Sequence, residues 1–365
     1  MAQHELHSKE ARNFASTVRR LTDEGAEKLL EKIRWRSETE QVCPHCGSVR
    51  RHYRRHRRMR WRCADCGREF SVTTGTALHG HKLPFSAIVS VAHEFVASAN
   101  GVSSLSLACR LGITPKTAQV ALGRIREVTV NGMDVTPMKG VIHMDGIYVC
   151  GKPRKPNRRM RMPENALKIR FGKMKPADAS KPWMSAGMTK KNWDKRRNKR
   201  VVVSLCESAG KGNGSGRVLA FVCSSENEKD ALAIVKRFVE PGSIIMTDES
   251  SAFQSLSTVV EHYAVQHSKE HCDPDGVNCN LAEAWNSRFR RNEYGISHGF
   301  RPKYLQDYAC EQAWRHTHRK SSQQARVTAV LSALLSAPKS AWWTGYWQGK
   351  HRQDEIGLDY FLRGA

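Results

Sequence analysis

Two Cys-x-x-Cys pairs near the N-terminus constrain the fold of this chain more than any other feature. The pairs are Cys43–Cys46 and Cys63–Cys66, with 16 residues between them. Each pair can direct two thiolates at one tetrahedral ion, and this spacing is typical of a four-thiolate zinc site. Gly47 and Gly67 follow the pairs, where a tight turn needs a permissive backbone. A redox Cys-x-x-Cys pair is the alternative. The sequence predicts a structural Zn²⁺ ribbon over residues 41–80.

The other seven cysteines follow no repeated spacing, and the total of 11 is odd. A disulfide framework is therefore not expected, and most of these thiols are interpreted as small buried hydrophobic groups. One further cluster could form a second metal site, although it lacks a paired knuckle. Its members are His267, His271, Cys272 and Cys279.

The basic charge of the chain is concentrated in two segments. Lys and Arg number 60 against 35 Asp and Glu, which gives a formal net charge of +25. Residues 41–70 carry a net charge of +7, and residues 152–200 carry +15. Such blocks are typical of nucleic-acid contacts, and the alternative is a solvated basic surface. No run of about 18 apolar residues is present, and the first residues have no apolar signal region, so no membrane segment is expected.

The segment between the two cysteine pairs is rich in arginine and reads RRHYRRHRRMRW. Arginine pairs well with phosphate because its planar guanidinium can donate two parallel hydrogen bonds. We expect this arm to contact a nucleic-acid backbone. The arginines assigned to that role are Arg54, Arg55, Arg57 and Arg58.

Helical patterns lie on both sides of the ribbon. Residues 1–40 are predicted to form one or two short helices, with a cap signal at Thr22–Asp23. Residues 81–130 are predicted to be helical, with a break at Leu111–Gly112 and a new start at Thr114–Pro115. This pattern is typical of a helix-turn-helix DNA-binding region, and a plain three-helix bundle is the alternative. The second helix carries the candidate DNA contacts Lys116, Thr117, Gln119, Arg124 and Arg126.

After about residue 138 the pattern changes to apolar strands. Four are predicted, in GVIHMDGIYV, RVVVSLCES, RVLAFVCS and SIIMTDES, with a helix in NEKDALAIVKRFV before the last strand. This order predicts an α/β domain with a mixed sheet over residues 138–320. The basic stretch 152–200 is predicted to interrupt it as an extended loop, and residues 321–365 are predicted to be a C-terminal tail.

Three acidic residues lie where chemistry is expected in this domain. Asp145 lies within an apolar strand, Asp248 ends another strand, and Glu283 begins a helical run. A carboxylate in an apolar strand is costly unless it is paired or binds a cation, and three together would suit Mg²⁺ or Mn²⁺. Two such ions can stabilise both the attacking and the leaving oxygen when a phosphodiester bond is exchanged. Arg290 returns to the helical face of Glu283 and could hold a phosphate, and Asn280 is a possible auxiliary ligand. Helix caps or salt-bridge partners are the alternative roles for these acids.

Taken together, several motifs resemble a known family of enzymes. They are CPHCGS with WRCADCGREFSVTTGTALH, SSLSLACRLGITPKTA, MDGIYVCGK, TDESSAF and NLAEAWNSRFRRNEYGISH with KYLQDYACEQAWRHTHR. In this order they are similar to the prokaryotic zinc-ribbon DDE transposases of the ISXO type, from about residue 15 to residue 320. The resemblance implies a ribonuclease-H-like catalytic domain, divalent metal and cut-and-join chemistry at transposon ends.

The resemblance also assigns roles to residues. It implies that Asp145 and Asp248 are the two aspartates, that Glu283 is the glutamate, and that Arg290 matches the family's basic residue, which is usually lysine. Two departures stand out. The family commonly has an acidic residue after its first aspartate, where this chain has Gly146, and the basic stretch 152–200 is longer than the family norm.

The sequence therefore predicts a DNA transposase that binds the ends of its insertion sequence and catalyses metal-dependent cleavage and strand transfer. The expected partner is double-stranded DNA, with a homo-oligomer bringing two ends together and the bacterial cytoplasm and nucleoid as the location. The alternative is a catalytically inactive DNA-binding regulator derived from a transposase. A nuclease that processes RNA on the same fold is a third possibility, which the duplex-reading helices disfavour.

Overall fold

The computed structural model describes residues 8–37, 39–150, 183, 189–210, 212–265 and 278–363. Most of the basic stretch 152–200, together with His267, His271 and Cys272, lies outside these residues. Within the described ranges, no helix has both the length and the hydrophobicity needed to cross a membrane.

The N-terminal part of the chain joins short helices to two small sheets. Its helices begin where the sequence supplies a capping oxygen: the Thr22 hydroxyl accepts the Gly25 amide at 3.1 Å, and the Thr114 hydroxyl accepts the Thr117 amide at 3.2 Å. Gly112 ends the preceding helix in the left-handed region at φ +63°, as the predicted break requires. The elements are α1 (Lys9–Arg19), α2 (Asp23–Trp35), β1 (Gln41–Val42), β2 (Val49–Arg50), β3 (Tyr53–Arg55), β4 (Arg60–Arg62), β5 (Glu69–Phe70), α3 (Phe85–Ala97), α4 (Ser104–Leu111) and α5 (Pro115–Asn131).

These N-terminal elements share one hydrophobic core instead of forming separate units. Trp61 and Phe70 of the ribbon strands are buried in the same core as the apolar faces of α2, α3, α4 and α5. Helix α10 (Gln323–Ser336) contributes Leu331 and Leu334 to this core. The prediction of a C-terminal tail over residues 321–365 therefore misses a core helix. Its alternating small and apolar residues give no strong pattern of their own, and only packing reveals their role.

The second part of the chain is built on a five-stranded mixed sheet with the order β10-β9-β6-β7-β8. Strand β6 pairs antiparallel with β7 and parallel with β9, and β9 pairs parallel with β10. The four predicted strands are confirmed as β6 to β9, whereas β10 is short and polar and was not predicted. The strands are β6 (Val141–Val149), β7 (Arg200–Ser208), β8 (Ser215–Cys223), β9 (Ile244–Asp248) and β10 (Glu261–Val265).

Helices cover both faces of this sheet. On one face the core joins β6 and β7 to helix α7 and to the C-terminal helix α11, and on the other it joins them to α8 and α9. Helix α6 lies at the end of the basic stretch, so its last part is helical and not an extended loop. The helices are α6 (Lys190–Asn198), α7 (Glu228–Phe238), α8 (Asn280–Asn292), α9 (Leu305–Thr317) and α11 (Leu358–Arg363).

The two parts of the chain are connected by a buried ion pair. The Arg126 guanidinium of α5 donates to Glu311 of α9 at 2.7 Å, and both side chains are buried. Arg315 donates to the same carboxylate group at 3.0 Å. Because a buried carboxylate is stable only when it is paired and hydrogen-bonded, this triad fixes α5 against helix α9 of the second part of the chain.

Candidate active site and metal centres

The four ribbon cysteines form a compact thiolate cluster. The Sγ atoms of Cys43 and Cys66 are 3.8 Å apart, and those of Cys46 and Cys63 are 3.6 Å apart. A tetrahedral ion with Zn–S bonds of about 2.3 Å needs sulfur atoms about 3.8 Å apart. Among the described residues, these four are the only set of three or more possible ligands whose donor atoms all lie within 4.8 Å of one another. The geometry supports structural zinc.

The two cysteine knuckles have the same backbone geometry. Gly47 and Gly67 have φ values of +75° and +69°. Their amides donate to the carbonyls of Cys43 and Cys63 at 2.9 and 3.1 Å. A side chain at either position would be strained in this left-handed conformation, so the glycines of the motif have a direct structural reason.

Strand register brings the two predicted aspartates level with each other. The parallel strands β6 and β9 pair His143 with Met246, and two residues further along stand Asp145 and Asp248. Helix α8 packs across β6 and β7, and Glu283 lies in its first turn. The sheet and one helix thus place carboxylates from three distant parts of the sequence in one region of the molecule.

The electrostatics support this convergence independently. Burial and the charge of Asp248 raise the pKa of Asp145 to about 6, and Glu283 adds to the effect. Burial also raises the pKa of the Cys279 thiol, and the charges of Asp145, Asp248 and Glu283 all raise it further. The same three acids therefore act on one buried thiol. Cys279 is thus a buried neighbour of the acidic residues.

Two residues that the sequence did not single out belong to this site. The Asn286 amide donates to Asp145 Oδ2 at 2.7 Å and is itself buried, so it orients that carboxylate. Glu226, in the loop before α7, is a fourth acid whose pKa is raised to about 7 by burial and by the charges of Asp248 and Asp145. Asn286 follows Glu283 by three residues, and this helical spacing is the signal that could have identified it.

The donor set fits a hard divalent cation. It consists of carboxylate oxygens, which Mg²⁺ and Mn²⁺ prefer. No ion pair in the described part of the chain involves Asp145, Asp248 or Glu226. Burial and neighbouring carboxylates raise the pKa of Asp145 and of Glu226, which is costly for their ionised forms, and a cation among these acids would remove that cost. Asp145, Asp248 and Glu283 are the residues that would hold it.

The other two predicted active-site residues have different surroundings. Arg290 donates to the buried Glu293 carboxylate at 2.9 Å, so an ion pair already holds its guanidinium. Asn280 is the first residue of α8 and is exposed. Its backbone amide contacts Asn278 Oδ1 at 3.2 Å.

The four ribbon arginines fall into two classes. Arg54 forms a two-fold pair with the buried Glu27 and stacks over Trp61 at 4.2 Å, so it has a structural role. Arg55, Arg57 and Arg58 are exposed. Arg55 and Arg58 lie 3.1 and 3.9 Å from the Glu69 carboxylate, so they can still present charge to a ligand.

The predicted DNA contacts on α5 also differ in accessibility. Lys116 is exposed, with its ammonium 4.7 Å from the centre of the Trp347 ring, and Gln119 donates to the Tyr346 hydroxyl at 3.3 Å. Thr117 is half-buried beside Thr114. Arg124 is buried, and burial lowers its pKa. Arg124 therefore lies in the interior, and the helical pattern of the sequence did not predict this burial.

Comparison with known proteins gives two family matches. Residues 21–69 match the transposase zinc-ribbon domain, and residues 178–317 match the ISXO2-like transposase domain. The second match contains Asp248 and Glu283 and begins beyond Asp145. No curated protein and no solved structure matches the chain. With the four-cysteine cluster and the mixed α/β sheet, these matches support an ISXO2-like transposase with a zinc ribbon.

Proposed function

We propose that this protein is an active DNA transposase that binds the ends of its insertion sequence and catalyses metal-dependent strand cleavage and strand transfer. The catalytic part is a ribonuclease-H-like domain built on the sheet β6 to β10. An antiparallel β6–β7–β8 meander, a helix and two further parallel strands support that assignment. The family match supports the transposase class.

The convergence of Asp145, Asp248 and Glu283 is the observation that carries this proposal. A regulator that only binds DNA gains nothing from partly buried acids, because they repel each other and the polyanion. Burial and the charge of Asp248 raise the pKa of Asp145 to about 6, so its ionised form is unfavourable at this position. Such a costly arrangement is typical of an active site.

Each residue then has a part in the reaction. Bound Mg²⁺ or Mn²⁺ would activate the attacking oxygen and stabilise the leaving oxygen of the phosphodiester. Asp145, Asp248 and Glu283 would hold the ions, and Asn286 keeps the Asp145 carboxylate in one orientation through its 2.7 Å hydrogen bond. Arg290 is paired with the buried Glu293 at the C-terminal end of α8.

The DNA-binding surface is proposed to combine the ribbon arm and the turn between α4 and α5. Exposed Arg55, Arg57 and Arg58 are suited to phosphate contacts, and Lys116 and Thr117 lie at the start of α5. Three predicted contacts are left out. Arg54 is paired with Glu27, Arg124 is buried, and Arg126 is buried and paired with Glu311. We expect a homo-oligomer to bring the two DNA ends together, and we expect the reaction to take place at the bacterial nucleoid.

The direct test uses purified protein and labelled DNA that carries the sequences flanking its gene. We expect nicking at the end of the element and joining to a second duplex, both dependent on Mg²⁺ or Mn²⁺. Asp145→Asn should bind the same DNA without cutting it. End binding by the wild type with no cleavage under any divalent metal would refute the proposal and favour a regulator.

A further inference from the structure

The Glu226 side chain lies beside Gly146 of strand β6, where no side chain fills the space. Gly146 follows Asp145, and a Cβ atom built on Gly146 would lie 2.9 Å from Glu226 Oε1 and 3.2 Å from its carboxylate carbon. The glutamate reaches this position from the loop between β8 and α7. We propose that Glu226 is a fourth carboxylate of the divalent-metal site, and that Gly146 provides the space for it. This inference rests on the function proposed above.

Gly146 leaves room for the carboxylate of Glu226. Its φ does not lie in the left-handed region, so the backbone does not require glycine there. A Cβ atom there would instead make the carboxylate end of Glu226 shift, and it would lie 3.3 Å from Val201 Cγ1. The Glu226 carboxylate occupies the space beside Gly146.

Ser250 lies between Glu226 and Asp248 and hydrogen-bonds to both. The Ser250 hydroxyl hydrogen-bonds to Glu226, and the Ser250 amide donates to Asp248 Oδ1 at 3.2 Å. One serine therefore connects the loop before α7 with the end of β9. The charges of Asp248 and Asp145 both act on Glu226, and the groups that shift its pKa include no basic side chain among the described residues.

An acid just before a helix commonly caps its N-terminus, but here Asn227 already caps α7. Helix α7 is capped by Asn227, whose side chain accepts the Asp230 amide at 2.9 Å. Glu226 precedes that cap, so it is not needed to begin the helix. Its half-buried carboxylate near two other acids is unfavourable for stability, which is the pattern of a residue kept for a ligand.

Mn²⁺ binding to the full-length, zinc-loaded protein without DNA tests this inference. Glu226→Gln should weaken Mn²⁺ binding by about 10–100-fold, measured by titration calorimetry or by electron paramagnetic resonance of free Mn²⁺. Gly146→Ala should weaken it in the same direction and less strongly, because the new methyl group displaces the carboxylate without removing it. The matched control is Glu249→Gln, which removes an exposed charge beside Asp248 and should change binding by less than about twofold.

A swap variant sharpens the test. Glu226→Ala combined with Gly146→Asp moves the carboxylate onto β6 and should recover Mn²⁺ affinity relative to Glu226→Ala alone. Zinc content and melting temperature show whether each variant is folded, and Gly146→Ala carries the test if Glu226→Gln does not fold.

The results separate this inference from the proposed function. Wild-type affinity in both Glu226→Gln and Gly146→Ala, with loss in Asp145→Asn, would overturn the role of Glu226 and leave the transposase proposal standing. An equal loss in Glu249→Gln would also overturn it, because the effect would then be one of general charge. No Mn²⁺ binding by the wild type would overturn both.

Discussion

The zinc cluster and the acidic site, which we propose as a second metal centre, are built in opposite ways. The four thiolates come from one short segment with two matching knuckles, and the geometry of each knuckle is set by a single glycine. The carboxylates come from two strands and a helix that are more than a hundred residues apart at the extremes. Spacing alone therefore determines the first centre, whereas the second exists only when the sheet register is correct.

The two centres also differ in what they do for stability. Metal binding at a thiolate ribbon contributes directly to folding, because no preformed site exists in the unfolded chain. The acidic site costs stability without its cation, since Asp145 and Glu226 are ionised less readily than ordinary carboxyl groups. The first centre should therefore be needed for the fold and the second only for the reaction.

Loss of one thiolate should have the largest effect. Structural zinc contributes on the order of 10 kcal/mol or more to folding, and Trp61 and Phe70 connect the ribbon to the N-terminal core. Cys63→Ser should therefore lose zinc, lower the melting temperature strongly and abolish DNA binding. Elemental analysis and calorimetry measure this, with exposed Cys109→Ser as the control. Retained zinc and unchanged melting would mean that the ribbon does not need its fourth ligand.

Loss of one carboxylate should have the opposite profile. Asp145→Asn should keep the fold and DNA affinity, because it removes a charge from a group of acids, and should lower cleavage by at least about 100-fold. Asp248→Asn and Glu283→Gln should behave alike in a gel assay of end-labelled DNA. Asn280→Ala, at an exposed position of the same helix as Glu283, should be milder. Full activity in Asp145→Asn would remove the basis of the triad.

Removal of the Asn286 amide should have a smaller effect on the same centre. The 2.7 Å hydrogen bond from Asn286 lowers the pKa of the Asp145 carboxyl. Asn286→Ala removes this hydrogen bond, so the pKa of Asp145 should rise. Metal affinity should fall by about tenfold, and the acid limb of the pH–activity profile should move to higher pH. The control is Ser287→Ala on the exposed face of α8. An unmoved acid limb would assign Asn286 a packing role only.

Local sequence signals predicted much of this molecule. The knuckle glycines, the Thr22 and Thr114 caps and the strands β6 to β9 all depend on short-range chemistry, and the structure has each of them. The role of α10 in the N-terminal core could not be predicted, because its partners are the helices α2 to α5, far away in the sequence.

Burial and pairing were the parts that the sequence could not provide. Arg54 and Arg55 are neighbours in one basic run, yet one is paired with the buried Glu27 and the other is exposed. Glu226 lies in a polar loop with no motif around it, and only its contact with Gly146 reveals it. A charge pattern in a sequence does not distinguish a structural ion pair from a binding surface.

The ribbon arginines test that distinction with a moderate effect. Neutralising Arg55, Arg57 and Arg58 to glutamine should weaken binding to all DNA sequences and lower the log–log salt slope by about 0.9 for each lost phosphate contact. Arg54→Gln is the matched comparison: it should lower the melting temperature by leaving Glu27 unpaired, with little change in the slope. Titrations at several salt concentrations measure both. Equal slopes for the triple variant and the wild type would make this arm a solvated surface.

The smallest effect concerns pH and the stability of the acidic site without divalent metal. The pKa of Asp145 is about 6 in the folded protein, raised from 3.8 by burial and by Asp248, so the folded state holds this proton more tightly than the unfolded chain. Its contribution to the unfolding free energy must therefore fall as pH rises from about 4 to about 7. Asp145→Asn stays neutral throughout, so it should melt with the wild type near pH 4 and higher by about 3 °C at pH 7.5. Thermal melting in divalent-free buffer that retains zinc measures the difference, and Glu249→Gln should show none of it. A variant that gains its advantage at pH 4 instead would mean that Asp145 is stabilised as an anion, and that the acidic site resembles the zinc cluster more than we propose.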